Sequence, residues 1–86
     1  MYKLELFCEI MSKFEYEYEV TREGNITIFN DYSFINKGEN FNYNNLTEAL
    51  KDWLPVLLAS NEYHYKENGC DYFIWSKEKI EFIKNL

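Results

Sequence analysis

Apolar and polar residues alternate along the first twenty positions of the chain. Every second side chain in residues 2–10 is apolar, from Tyr2 to Ile10. Residues 14–20, FEYEYEV, repeat the pattern with aromatic residues and glutamates. Period-two alternation is typical of a half-buried β-strand, so the pattern predicts two strands joined by a short loop at residues 11–13. The residues between the apolar positions of the first strand are Lys3, Glu5, Phe7 and Glu9.

A third strand is predicted after a turn at residues 22–25. Gly24 lies in this turn and is free to adopt a positive φ. The segment that follows, Ile26 to Phe29, is rich in β-branched and aromatic residues and is expected to extend as far as Phe34. Residues 1–34 therefore predict a three-stranded antiparallel meander.

The middle of the chain predicts a helix. Asn45 suits the N-cap, and Glu48 lies three residues later, as in a capping box. The helix is expected to kink or restart at Pro55, which lacks a backbone donor. Along the whole predicted helix, on both sides of Pro55, apolar residues recur at spacings of three and four, which is typical of a helix packed on a core. They are Leu46, Ala49, Leu50, Trp53, Leu54, Leu57 and Leu58.

The sequence is compatible with two alternative structures for residues 63–75. The pair Asn68-Gly69 favours a hairpin that would place Lys66 opposite Asp71. Alternatively, the helix extends to about residue 66 and ends at Gly69. We prefer the hairpin, and residues 72–75 are expected to be a strand in both cases. Ser76 is expected to cap a short final helix that places Ile80, Ile83 and Leu86 on one side.

These elements predict an α+β fold. A three- or four-stranded antiparallel sheet, built on an N-terminal β-meander, would pack on one kinked helix and be followed by a later strand and a short C-terminal helix. Residues 1–86 are expected to form a single small domain. The helix would bury Trp53 in the core and cover one face of the sheet. That face would carry Leu4, Leu6, Tyr16, Tyr18 and Val20.

Composition excludes several classes of protein. With 47% hydrophobic and 20% aromatic residues, the chain is too apolar to be disordered. Fifteen acids oppose nine bases for a net charge of −6, and Arg22 is the single arginine. Direct binding to nucleic acid or an anionic membrane relies on clustered Lys and Arg, so we expect neither. The N-terminus resembles no signal peptide and no apolar stretch is long enough to span a membrane, which predicts a cytoplasmic protein.

No arrangement of residues indicates catalysis. His64 is the single histidine, and Cys8 and Cys70 are isolated from one another in the sequence. A zinc site needs three or four ligands at recognisable spacing, and a phosphate loop needs clustered glycines. We therefore expect a non-enzyme with neither metal nor cofactor.

The glutamates of the predicted hairpin form the candidate site. If the two apolar faces are to meet, Glu9 lies opposite Glu15 and Glu5 opposite Glu19, while Glu17 lies opposite Phe7. Opposed like charges are destabilising by roughly 0.2–1 kcal/mol per pair. The row is therefore either the solvated face of a hairpin or an acidic recognition surface with Phe7 as its apolar anchor. The candidate partner-binding residues are Glu5, Phe7, Glu9, Glu15, Glu17 and Glu19.

An acidic recognition surface predicts a basic protein partner, such as a nuclease or another nucleic-acid-binding protein. The residues Phe, Tyr, Met, Ile, Asn and Lys, which have AT-rich codons, make up nearly half of the chain. In size, acidity and inferred codon usage, though in no motif, the chain resembles the small acidic inhibitors of phages and mobile elements, such as anti-CRISPR and anti-restriction proteins. The alternatives are a toxin-neutralising immunity protein and a domain that forms homodimers through its Tyr/Trp-rich surface. Salt-sensitive binding distinguishes a basic partner from self-association.

Overall fold

A computed structural model describes residues 2–29, 40–68 and 74–86. The described strands form one antiparallel sheet in the order β1-β2-β3. This α+β arrangement confirms the predicted fold class, with its three-stranded antiparallel sheet, long helix and short C-terminal helix. The elements are α1 (Tyr2–Phe14), β1 (Glu17–Val20), β2 (Ile26–Phe29), β3 (Phe41–Tyr43), α2 (Leu46–Asn68) and α3 (Lys77–Lys84).

The chain divides into two compact units, residues 1–49 and residues 50–86. The first unit holds α1, the three strands and the start of α2. The second holds the remainder of α2 together with α3. That residues 1–86 behave as one domain stays a prediction.

The predicted strand over residues 2–10 is wrong, because this segment belongs to α1. Residues 2–14 contain neither Gly nor Pro and are rich in Leu, Lys and Glu, which favour helices. A strand would leave Phe7 on the wet face and Met11 in a loop, whereas the helix buries both. Fully burying side chains of this size contributes about 1.5–3 kcal/mol each, which favours the helical period. The buried residues of α1 are Leu6, Phe7, Ile10 and Met11.

The C-terminus of α1 is closed by a Schellman motif. The amide of Tyr16 donates to the carbonyl of Met11 at 3.0 Å, and the amide of Glu15 donates to the carbonyl of Ser12 at 3.2 Å. Glu15 adopts φ 59°, the left-handed conformation that this motif requires. Glycine usually occupies the position because a Cβ makes the conformation less favourable. The chain thus changes from helix to strand within two residues, at a site of local backbone strain.

The turn between β1 and β2 agrees with its prediction. The amide of Gly24 donates to the carbonyl of Thr21 at 3.0 Å, and Gly24 has φ +88°. The amide of Thr21 donates to the carbonyl of Asn25 at 2.9 Å and closes the hairpin. The amide of Asn25 in turn donates to Oγ1 of Thr21 at 3.1 Å. This turn fixes the register in which Glu19 lies opposite Thr27.

The first turn of α2 also forms as predicted. The amide of Glu48 donates to Oδ1 of Asn45 at 2.9 Å, so Asn45 is the N-cap. The Glu48 carboxylate accepts from the amide of Asn44 at 3.0 Å, one residue further out than in a standard capping box. Trp53 is buried, as predicted. The helix continues through Pro55 and does not restart there, and the kink stays a prediction.

The preferred hairpin over residues 63–75 is wrong, because Tyr63 to Lys66 lie within α2. No helix-breaking residue intervenes between Pro55 and Gly69 in the sequence, and a salt bridge of 3.1 Å joins Glu62 to Lys66 one turn later. The predicted strand over residues 72–75 lies in part outside the described residues. Its remaining two residues, 74 and 75, are not in a strand.

The buried side chain of Asn61 holds the segment before α3 through two hydrogen bonds to the backbone of Trp75, here called the clamp. Asn61 accepts from the amide of Trp75 through Oδ1 at 2.8 Å and donates to the carbonyl of Trp75 through Nδ2 at 2.8 Å. Asn61 lies four residues after Leu57 on the buried side of α2. Ser76 then caps α3 as predicted, accepting from the amide of Lys79 at 3.3 Å.

Candidate protein-binding surface

Glu17 and Glu19 lie side by side on the outer face of the sheet. In the register with β2, Glu17 is opposite Phe29 and Glu19 is opposite Thr27. Cross-strand partners share a face, so these four side chains lie on the side away from the buried Ile28. The predicted alternation of FEYEYEV therefore holds over the four residues of β1.

Glu5 and Glu9 do not join this face, because both belong to α1. They are four residues apart and so lie on neighbouring turns of the helix. α1 packs on the opposite side of the sheet, where Phe7 meets Tyr18 edge to face with ring centroids 5.2 Å apart. The predicted pairings of Glu5 with Glu19 and of Glu9 with Glu15 are wrong, since β1 pairs with β2.

Phe7 is not an exposed anchor. Its side chain is 1% exposed and belongs to the core of the first unit. The hypothesis of an aromatic anchor among the glutamates therefore fails for Phe7. Glu15 is exposed but lies in the Schellman motif, two residues before β1 begins.

Tyr18 joins β1 to α1 through its hydroxyl group. The Tyr18 oxygen and the Cys8 Sγ are 3.0 Å apart, a hydrogen bond in which either group can donate. This bond to Cys8 raises the pKa of Tyr18 above its ordinary value of 10.0, and partial burial adds to the rise. The hydrogen bond therefore favours the neutral, protonated form of Tyr18.

Among the described strands, β1 lies at the edge of the sheet, and its four residues are all exposed. Tyr18 and Val20 share a face with the buried Ile28 and Ile26, yet they remain 38% and 39% exposed. Leu4 is exposed as well. The prediction that the helix over Leu46–Leu58 buries these three residues is therefore wrong, and the helix that contacts Tyr18 is α1.

The backbone of β1 has a defined outer edge. Thr21 and Asn25 form a hydrogen-bonded pair at the turn, and such pairs alternate along an antiparallel ladder. Glu19 and Glu17 consequently direct their backbone groups toward β2. The N–H and C=O groups of Tyr18 and Val20 point to the edge that no other described strand covers. An edge of this kind is a template on which another strand can add.

The two carboxylates of β1 repel each other. Side chains on the same face of a strand are about 6.6 Å apart, which gives a repulsion of about 0.6 kcal/mol in water. Thr27 and Asn42 on the neighbouring strands are neutral and bond to each other, with Thr27 Oγ1 donating to Asn42 Oδ1 at 3.1 Å. No basic side chain lies in the ladder positions beside Glu17 and Glu19. A cation from a partner would relieve this repulsion.

The remaining findings on chemistry concern residues 2–29, 40–68 and 74–86. Within them, no group of three or more His, Cys, Asp or Glu residues is placed to hold a metal ion. None of the helices described there has the length and apolar character needed to cross a bilayer. Comparisons with protein-family models, with curated proteins and with solved structures found no match.

Two features of the structure were missed from sequence. The contact of Cys8 with Tyr18 depends on the helical phase of α1, which a period-two pattern conceals. The buried amide of Asn61 is polar and therefore does not enter an apolar stripe. Its spacing of four from Leu57 and of eight from Trp53 is the signal that would have found it.

Proposed function

We propose that this protein is a non-catalytic acidic domain that binds a basic protein through β1 (Glu17–Val20). The observation that supports the proposal is the exposure of all four β1 residues at a sheet edge. Carboxylates occupy one face of this strand, and Tyr18 and Val20 occupy the other. The surface therefore combines charge, exposed apolar area and backbone hydrogen-bonding groups.

An extended segment of the partner would pair with the outer edge of β1. Strand addition of this kind takes affinity from main-chain hydrogen bonds and specificity from alternate side chains. The matching segment carries Lys or Arg beside Glu17 and Glu19, and apolar residues beside Tyr18 and Val20. Opposite charges across neighbouring strands contribute roughly 0.2–1 kcal/mol per pair.

The partner class that fits best is a nucleic-acid-binding protein. Such proteins cluster Lys and Arg to neutralise phosphates, so they already present the cations that β1 lacks. A domain that occupies those residues acts as an inhibitor, as the anti-CRISPR and anti-restriction proteins of phages do. The net charge of −6 supports fast encounter with such a partner.

Self-association is the second candidate, because the apolar side of β1 is exposed in Tyr18 and Val20. A second copy that pairs with β1 would, however, bring its own Glu17 and Glu19 close to those of the first. Like charges on adjacent strands are destabilising, so a basic partner is favoured over a second copy. A homodimer whose dissociation constant does not change with salt would support this candidate instead.

The test compares two variants that remove the same charge from different places. The partner is captured from host extract with the wild-type chain, and its association rate is measured against Glu17→Gln/Glu19→Gln. The control is Glu5→Gln/Glu9→Gln, which removes two glutamates from α1. We expect the β1 variant to associate about three- to tenfold more slowly at low salt, because charges at an interface steer encounter.

The control is expected to retain most of the wild-type rate. Equal losses in both variants would mean that net charge alone acts, and no loss in either would exclude β1 as the binding surface. Inhibition is tested separately by measuring nucleic-acid binding of the captured partner. The wild-type chain is expected to reduce that binding more strongly than the β1 variant does.

A further inference from the structure

A cleft of about 500 Å³ lies within residues 50–86, between the second half of α2 and α3. Leu58 and Tyr65 line it from α2 and are each 42% exposed. Trp75 and Ile80 are buried and form its inner part. The volume falls in the range of roughly 300–1,000 Å³ that small-molecule sites occupy in proteins. The cleft is separate from the β1 surface and does not depend on the function proposed for it.

The interior of the cleft favours an apolar ligand. Asn61 lines it, but its amide already makes two hydrogen bonds of 2.8 Å to the backbone of Trp75. The hydrogen-bonding groups of this amide consequently stabilise the fold and do not serve a ligand. The indole of Trp75 and the side chains of Leu58 and Ile80 present apolar surface to a ligand.

Two lysines and two glutamates line the cleft, so the charges of its rim balance. Glu62 pairs with Lys66 at 3.1 Å, and Glu81 lies 3.9 Å from Lys84. Lys77 also lines the cleft, and it enters no salt bridge within the described residues. Lys66 is not part of the lining, and Lys77 is the lining cation that no salt bridge within the described residues neutralises.

The length of the cleft limits the ligand further. Leu58 and Tyr65 are seven residues apart on α2, and Lys77 and Lys84 are seven apart on α3. Seven residues of helix rise by about 10 Å, which is the length of an extended alkyl chain of roughly eight carbons. A ligand with an apolar body of this length and one anionic group matches both the interior and the rim.

We propose that the cleft binds a medium-chain fatty carboxylate. The alkyl chain lies against Leu58, Trp75 and Ile80, and the carboxylate lies at Lys77. Sugars and nucleotides carry many polar groups that the apolar interior would leave without hydrogen bonds, so they are excluded. A cationic amphiphile is disfavoured by Lys77.

Octanoate is the probe, and tryptophan fluorescence of the full chain reports binding because Trp75 lines the cleft. We expect saturable binding that octanol, with the same chain but no charge, reproduces more weakly. Octylammonium is expected to bind more weakly still. Along the series from butanoate to octanoate, each added CH₂ should strengthen binding by up to about fourfold, with the gain falling once the chain exceeds the cleft.

Two pairs of variants locate the site. Leu58→Ser is expected to weaken octanoate binding about tenfold, whereas Val56→Ser, an equally exposed apolar position on α2, leaves it unchanged. Lys77→Gln is expected to weaken it about threefold, whereas Lys51→Gln, outside the cleft, has no effect. All four positions are exposed or at the rim, and circular dichroism confirms that each variant is folded.

Three results would overturn the proposal. One is the absence of saturable octanoate binding up to about 10 mM, a concentration that corresponds to very weak affinity. Another is octylammonium binding as tightly as octanoate. The third is a homodimer, measured by light scattering, that Leu58→Ser dissociates and octanoate does not, because the cleft would then be filled by a second copy of the chain.

Discussion

The two units of the chain differ in the chemistry of their surfaces. Residues 1–49 contain nine acids and four bases for a net charge of −5, whereas residues 50–86 contain six acids and five bases for a net charge of −1. The first unit exposes an edge strand with carboxylates on one face. The second exposes an apolar cleft with Lys77 at its rim. The acidity of the whole chain therefore belongs almost entirely to its first half.

Because of this difference, charge interactions dominate on the surface of the first unit, and apolar contacts dominate inside the second. Exposed charges are screened by salt over about 8 Å at physiological ionic strength, whereas buried apolar contacts are not. Substitutions on β1 should therefore change salt dependence and association rate. Substitutions in the buried part of the second unit should change the free energy of unfolding instead.

The largest expected effect is that of Trp53→Ala in the second unit. Trp53 is 7% exposed, and truncating a buried aromatic residue to alanine costs about 3–5 kcal/mol. Urea denaturation of the full chain measures the loss. Tyr63→Ala is the matched control, because Tyr63 lies on the same helix but is 62% exposed. Similar unfolding midpoints for the two variants would contradict a core that contains Trp53.

Asn61→Asp tests the clamp on Trp75. The carboxylate keeps an acceptor for the Trp75 amide but replaces the donor to the Trp75 carbonyl with a second oxygen. We expect a loss of about 2–3 kcal/mol at pH 7, since the hydrogen bond to the buried Trp75 carbonyl is lost and a carboxylate oxygen is placed against that carbonyl. Protonation of the carboxyl group at acid pH restores a donor. The difference from wild type should therefore shrink toward pH 3.5, and a loss that is independent of pH would exclude the clamp.

Glu15→Gly tests the strain at the end of α1. Glu15 has φ 59°, which glycine adopts without hindrance from a Cβ. We expect the variant to be more stable by about 0.5–1 kcal/mol, as a glycine placed at this helix terminus commonly is. Glu23→Gly removes the same charge from the turn, where no positive φ is required, and should be neutral or destabilising. Equal changes in both variants would mean that charge, not backbone conformation, is responsible.

Glu17→Gln/Glu19→Gln measures the repulsion within β1. Removing one pair of carboxylates about 6.6 Å apart should raise stability by about 0.6 kcal/mol at low salt. The gain should vanish near 1 M salt, where the screening length is about 3 Å. Thermal unfolding at both salt concentrations tests this expectation. A gain that persists at high salt would show that the glutamine side chains make new contacts.

The smallest expected effect concerns Tyr18 at alkaline pH. Its pKa is raised above 10.0 by the hydrogen bond to Cys8, so the folded chain retains the proton longer than the unfolded chain does. The stability that this bond contributes is present below pH 10.0 and is lost as the pH rises through the folded pKa. Cys8→Ala should return the pKa of Tyr18 toward 10.0. NMR titration of labelled tyrosine measures it, with Tyr18→Phe assigning the signal.

Sequence patterns were sufficient where one local rule applied. Asn45, Gly24 and Ser76 were placed correctly, because a cap or a turn depends on one side chain and its nearest backbone groups. The buried stripe of α2 was correct around Trp53 but not at Leu58, which is exposed. A stripe shows which side of a helix is apolar, and it does not show how far a neighbouring element covers it.

Sequence patterns failed where two periods fitted the same residues. In α1 the apolar side chains satisfy both a period of two and a helical period, and only the burial of Phe7 and Met11 separates the two. The candidate site changed for the same reason. Glu17 and Glu19 kept their common face, while Glu5 and Glu9 moved to a helix on the other side of the sheet.

The short connection between α1 and β1 makes this part of the chain intolerant of changes in length. The Schellman motif at Glu15 and the first strand residue Glu17 are separated by Tyr16 alone. Inserting or deleting one residue here would rotate the following strand by half a period. Tyr18 and Val20 would then point to water, and two carboxylates would point toward α1. Homologous chains that keep this fold should therefore accept many substitutions in this connection and no insertion or deletion of a single residue.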